Sequence, residues 1–98
     1  MRETTSMIVF HGTDQELNCL LEGSFVTKNI RDAWKFGFRR AYESGSQTVY
    51  VYTLEIDRAD MKPDPRRHRA FILKHFVNTN LVEEKWKFEV PYSMRLYP

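Results

Sequence analysis

The sequence predicts an α+β fold, a small single domain over residues 1–98 with a mixed or antiparallel sheet and about three helices. Three observations predict it. Thr48–Asp57 (TVYVYTLEID) is a strand-like run rich in Val, Tyr, Ile and Thr. A continuous apolar stripe keeps helical spacing from Ile30 to Ala41. Strand-like and helix-like segments alternate along the chain, with no internal repeat. The length of 98 residues suits one domain, and a domain of that size buries roughly two thirds of its unfolded surface. An aromatic content of 14% supports a real core, and four Gly and four Pro are too few for a low-complexity chain.

Taken in order, Met7–Phe10 (MIVF) is an apolar run that reads as a buried strand. Asp14–Leu21 places Leu17, Leu20 and Leu21 at i, i+3 and i+4, the spacing of a short helix capped by Thr13 or Asp14 and ended by Gly23. Ser24–Thr27 is a short strand. The clearest helix begins at Ile30. Ile30, Ala33, Trp34, Gly37, Phe38 and Ala41 share one face, Asn29 is a good N-cap, Asp32 is placed for a near capping box, and Ser44-Gly45-Ser46 ends the helix.

In Thr48–Asp57 one face carries Val49, Val51 and Thr53, and the other Tyr50, Tyr52, Leu54 and Ile56. Both faces are largely apolar, so this strand is expected in the interior of its sheet. Lys62-Pro63-Asp64-Pro65 is a turn. Arg66–Asn78 is expected as a helix, with Ala70, Leu73 and Val77 on one side and Phe76 alongside. Lys85–Val90 alternates Trp86, Phe88 and Val90 with Lys85, Lys87 and Glu89, a strand with one buried and one solvated face that Pro91 ends. Tyr92–Tyr97 is a candidate for one more short strand.

The net charge of +2 is too small an imbalance to point by itself to nucleic acid. Cys19 is the only cysteine, sits in an apolar stretch, and is expected to be a buried small hydrophobe. No apolar run is long enough to span a bilayer, and Met1–Ser6 lacks the apolar stretch of a secretory signal, so a cytoplasmic location with no membrane partner is expected. No metal site is expected, because His68 and His75 are seven residues apart rather than an i, i+4 pair.

The stretch with the most chemistry is His11-Gly12-Thr13, which closes the first apolar run. His11 offers two ring nitrogens, Gly12 lets another molecule approach the backbone closely, and Thr13 adds a hydroxyl. Gly23-Ser24-Phe25-Val26-Thr27 answers it a few residues later.

A strand ending in His-Gly-Thr, then Gly-x-aromatic-x-Thr, then a helix carrying Ala33 and Trp34, resembles the front half of the ADP-ribosyltransferase fold, in the branch related to diphtheria toxin and the poly-ADP-ribose polymerases. The resemblance covers the first half of the chain. Phe25 stands where a tyrosine is common in that branch. It implies an enzyme that cleaves the nicotinamide–ribose bond of NAD and passes ADP-ribose to a protein or nucleic-acid acceptor. The substrate-binding residues would be His11, Gly12, Thr13, Phe25, Thr27 and Arg40. His11 would hydrogen-bond a ribose hydroxyl, Gly12 would offer backbone groups to the nicotinamide amide with Thr13 in support, and Phe25 would pack on the nicotinamide ring. Arg40, or Arg31 or Arg39, would pair with the pyrophosphate.

The resemblance also implies a glutamate that stabilises the oxocarbenium-like transition state. Glu83, Glu84 and Glu89 are candidates. Glu84 shares the parity of Trp86, Phe88 and Val90 and Glu89 that of Lys85 and Lys87, so Glu84 is taken as the catalytic carboxylate beside His11. Glu55 lies mid-strand.

Arg66-Arg67-His68-Arg69 is the second feature of note. It is either a solvated helix turn or a grip for phosphate, and positive charge at a helix start opposes the helix dipole. An alternative function class follows: a non-catalytic binding protein, of a phage or mobile-element type, that engages a host protein or nucleic acid through a basic helix and an aromatic surface.

Overall fold

The computed structural model describes residues 6–67, 69–78 and 84–89. The elements are β1 (Ser6–Thr13), β2 (Cys19–Leu20), β3 (Phe25–Thr27), α1 (Ile30–Ser44), β4 (Thr48–Asp57), a 3-10 turn (Arg58–Asp60), β5 (Met61–Pro63), β6 (Ala70–Leu73), β7 (Val77–Asn78) and β8 (Glu84–Glu89). Six strands form one sheet in the order β5-β6-β3-β1-β4-β8, and every neighbouring pair is antiparallel. A two-stranded ribbon, β2 with β7, forms a second small sheet. The fold is therefore α+β with antiparallel sheets and, among the described residues, a single α-helix.

Each face of the large sheet has its own core. On one face Val49, Val51, Ala33 and Ala41 are fully buried, with Phe10, Ile30, Trp34, Phe38 and Trp86 packed around them. On the other, Val9, Val26, Tyr52, Leu54 and Leu73 meet Leu20, and Leu17 and Val77 close over them. Thus α1 covers one side and the β2–β7 ribbon the other. β4 lies between β1 and β8 with Val49 and Val51 on the α1 side and Tyr52, Leu54 and Ile56 on the ribbon side, which is why both its faces are apolar.

The helix follows its sequence signals closely. Asn29 caps it by accepting from the Arg31 N–H at 2.9 Å, and Gly45 ends it in the left-handed region at φ 75°. The near capping box does not form in the expected way, because the Asn29 N–H donates to Thr27 Oγ1 at 3.1 Å. Burial of Gly37 between Ala33 and Ala41 lets α1 sit close on the sheet.

Two predicted helices are absent. Residues 14–18 form a bend and an irregular connection that lead into β2, and Thr13 Oγ1 accepts from the Gln15 N–H at 3.3 Å, a local turn in place of a helix cap. Leu17 and Leu20 are drawn into the core across the sheet, which a free-standing turn of helix does not require. The described residues of 64–78 are likewise strand and turn. Asp64 accepts the Arg66 N–H at 2.9 Å, and the Asp64 carbonyl takes the Arg67 N–H, closing a turn with Pro65 in second place. Ala70–Leu73 then pairs with both β3 and β5. The apolar run AFIL fits a strand as well as a helix, and two open sheet edges decide between them. Tyr92–Tyr97, with Val90 and Pro91, lies outside the described residues. Among the described residues no helix is long and apolar enough to cross a membrane.

Candidate functional site

The site lies where β1 and β3 part. Their pairing consists of Phe10 opposite Thr27, and beyond it the strands diverge. The His11 ring fills the opening: its Nδ1 lies 2.5 Å from the Phe25 carbonyl oxygen. A carbonyl can only accept, so Nδ1 carries the proton and Nε2 keeps a lone pair. Burial disfavours the imidazolium and holds the His11 pKa below 6.5; the Phe25 hydrogen bond opposes this and the Arg40 charge adds to it. At neutral pH His11 is a neutral acceptor held in one tautomer.

Phe25 is buried under two partners. The Phe36 ring on α1 lies 4.6 Å away centre to centre, and the Arg67 guanidinium sits 4.8 Å from the Phe25 centroid and 5.1 Å from that of Phe36. Arg40 approaches the Phe36 ring at 5.6 Å. Arg67 is fixed by Asp64, whose Oδ2 accepts from Nη1 at 3.0 Å. The Arg66 N–H holds the Asp64 carboxyl below its usual range, the Arg67 hydrogen bond and the Arg66 charge act the same way, and burial opposes them. Arg66, Arg67 and Arg69 are therefore at the tip of the β5–β6 hairpin, with Arg67 folded back over the aromatic pair, and not at the start of a helix.

Two hollows share the Phe25–Phe36–Arg67 wall. The larger, of about 740 Å³, is lined by His11, Thr13, Phe25, Arg40, Arg66 and Arg67, and closed by residues 14–21. The smaller, of about 380 Å³, lies on the other side of the wall, lined by Thr27, Asp32, Lys35, Arg39 and Ala70. Both volumes fall in the range of small-molecule sites.

The larger hollow thus gathers His11, Thr13, Phe25 and Arg40. Gly12 stands apart. A Cβ there would come 1.8 Å from the Ala33 carbonyl oxygen, so the space beside its Cα belongs to α1 and not to a ligand. Thr27 lines the smaller hollow, and its hydroxyl is engaged, donating to the Arg69 carbonyl at 3.2 Å while accepting from Asn29. Arg39 pairs with Glu43 at 3.3 Å on the exposed helix face, and Arg31 is exposed one turn before Lys35.

Glu84 is the first residue of β8, paired with Thr53; its side chain lies outside the described residues, as does Glu83. Thr53 continues the row of Val49 and Val51 on the α1 side of β4, whereas His11 is opposite Tyr52 on β4 and shares the ribbon face with Val9. Glu89 is exposed, and Glu55 is exposed and accepts from Ser6 Oγ at 2.6 Å. The described carboxylates lining the larger hollow are Asp14, which accepts from Ser44 Oγ, and Glu16. His68 lies outside the described residues, and His75 approaches Asp60 at 3.8 Å.

Phe36, Lys35 and Asp64 are residues beside the hollows that sequence reasoning missed, whereas Arg67 was singled out within the basic run but expected on a helix. Phe36 had a signal: it is an aromatic on α1 off the apolar stripe, where a solvated side chain is expected. Asp64-Pro65 had one too, the start of a tight turn.

No protein-family model matches the chain, and comparison with curated proteins and with solved structures gives no match.

Proposed function

We propose that the larger hollow binds NAD and that the protein is an ADP-ribosyltransferase-like enzyme passing ADP-ribose to a protein or nucleic-acid acceptor. The observation that carries the reading is the opening between β1 and β3, where a neutral His11 acceptor and three arginines border one hollow of nucleotide scale. In it, His11 Nε2 accepts from a ribose hydroxyl while Nδ1–H stays on the Phe25 carbonyl. Arg40 and the hairpin arginines take the pyrophosphate. The Phe25–Arg67 stack forms the wall against which the nicotinamide ring lies. The glycosidic carbon–nitrogen bond breaks with its electron pair leaving on nicotinamide, positive charge develops at the anomeric carbon, and the acceptor nucleophile forms the new bond. The carboxylate assigned to that charge is Glu84.

Binding and turnover rest on different residues, which makes the reading testable in two parts. NAD is expected to raise the melting temperature of the protein but not that of His11→Ala, with circular dichroism confirming that the variant is folded. Nicotinamide release and transfer of labelled ADP-ribose are expected for the unaltered protein and absent for Glu84→Ala. A protein that neither shifts with NAD nor releases nicotinamide is not an NAD enzyme. The described carboxylates of the hollow, Asp14 and Glu16, belong to its outer connection, with Asp14 held by the Ser44 hydroxyl, and this favours a second reading, a non-catalytic binder that uses the same hollow and the basic hairpin. A thermal shift with NAD and no nicotinamide release selects it.

A further inference from the structure

Residues 28–40 and 64–69 carry eight of the fifteen Lys and Arg but only two of the thirteen Asp and Glu, while the whole chain is at +2. The rest of the molecule is therefore net acidic, and the positive charge is concentrated around the Phe25–Phe36–Arg67 wall. One of the two acids, Asp64, is buried and already paired with Arg66 and Arg67. The other, Asp32, lines the smaller hollow.

On α1, Arg31, Lys35 and Arg39 follow one another at i+4, a row of exposed cations spaced by roughly 6 Å along the helix, with the Arg39 Nε–H on Glu43 at the far end and its other donors left for a phosphate. The row runs beside the smaller hollow, and Arg67 closes its opposite side. The floor is the Phe25–Phe36 pair with the guanidinium over it. The large exposed apolar side chains among the described residues, Ile8, Leu21, Tyr42 and Phe76, are absent from its lining.

The geometry points to a second binding site in this smaller hollow, for single-stranded nucleic acid: the backbone phosphates run along Arg31, Lys35 and Arg39 and a base enters against the Phe36–Arg67 wall. A flexible polyanion matches a row of cations, and base faces stack on aromatic rings and guanidinium planes with little regard to sequence. A duplex would meet only the rim, because its bases are stacked internally. A lipid surface would call for exposed apolar side chains beside the cations, and this lining has none. As a binding site the hollow stands independently of NAD. As the place where an acceptor strand is held, it rests on the transfer reading above, and the shared Arg67 wall would then bring strand and NAD side by side.

The test is fluorescence anisotropy without NAD, using a labelled oligothymidylate of about twelve nucleotides, a duplex of equal length, and inorganic polyphosphate as competitor. The single strand is expected to bind more tightly than the duplex and to resist competition by polyphosphate at equal phosphate concentration. Lys35→Ala/Arg39→Ala, at two exposed positions, is expected to weaken binding at least tenfold and to flatten the salt dependence by about 1.4 in log–log slope, the amount set by two lost phosphate contacts. Arg58→Ala, away from the hollow, is expected to bind like the unaltered chain. Equal binding of duplex or polyphosphate overturns the proposal, and so does a double variant with unchanged affinity and slope. Because the assay contains no NAD, a protein that binds the strand but ignores NAD overturns only the transferase reading, and the converse result overturns only this one.

Discussion

At Gly12 one added carbon decides whether α1 can lie on the sheet. A methyl group on its Cα would come 1.8 Å from the Ala33 carbonyl oxygen, a backbone atom that cannot rotate away. Gly12→Ala is therefore expected to cost about 3 kcal/mol or more, read as a fall in the urea midpoint, because the helix has to lift from β1. At Gly37 the obstacle is a side chain, Val49 Cγ1 at 2.5 Å. Gly37→Ala is expected to cost less, about 1–3 kcal/mol. His11 has a pH signature of its own. Its folded pKa lies below 6.5, so between that value and 6.5 the unfolded chain binds more protons than the native one. Stability from this group is complete above 6.5, declines as pH falls below it, and levels off once pH passes the folded value. Urea midpoints measured between pH 8 and pH 5 are expected to fall with acid, and His11→Gln is expected to flatten that part of the curve. The tripeptide stood out in the sequence, and two of its residues line the larger hollow. The division of labour within it was not legible there, because only the packed helix reveals that Gly12 serves α1 while His11 and Thr13 face the hollow.

Among the elements, legibility followed the strength of local signals. The helix beginning at Ile30 carries period, cap and terminator together, Thr48–Asp57 carries an unbroken run of strand-favouring residues with two apolar faces, and both form as the sequence predicts. Residues 14–21 carry short apolar spacing with a cap at Thr13 or Asp14 and a stop at Gly23, and residues 66–78 carry apolar spacing alone. There a strand edge or a core across the sheet chose the conformation, and the Thr13 hydroxyl closes a local turn in place of capping a helix. The hairpin tip that replaced the second of these helices hangs on Asp64, buried with its carboxylate against one backbone N–H and two guanidinium groups. Asp64→Ala is expected to cost about 2 kcal/mol, and to release Arg67 from the aromatic wall. NAD binding and strand binding are then both expected to weaken, since the wall is common to the two hollows. A variant that loses stability but keeps both affinities would show that Arg67 holds its place without the carboxylate.

On the scale of the whole molecule, the larger hollow depends on a tether that crosses from one face of the sheet to the other. The connection from β1 to β2 forms its outer wall. Near the C-terminal end of α1, Ser44 and Ser46 hydroxyls donate to the Asp14 side chain and carbonyl. On the ribbon face the Leu17 N–H donates to the Tyr52 hydroxyl at 2.6 Å, and that tyrosine is almost wholly buried in the core. Tyr52→Phe keeps the ring and removes the anchor. The expected loss is about 1 kcal/mol of stability. Hydrogen exchange at the Leu17 amide is expected to quicken, and NAD affinity to drop about fivefold if the wall contributes in proportion to that loss. Strand binding at the smaller hollow, which borrows nothing from this connection, is expected to stay unchanged. An unchanged NAD response alongside a freely exchanging Leu17 amide would mean that the ligand rests on the strand ends and the arginines alone, and that the connection closes the hollow without gripping what lies in it.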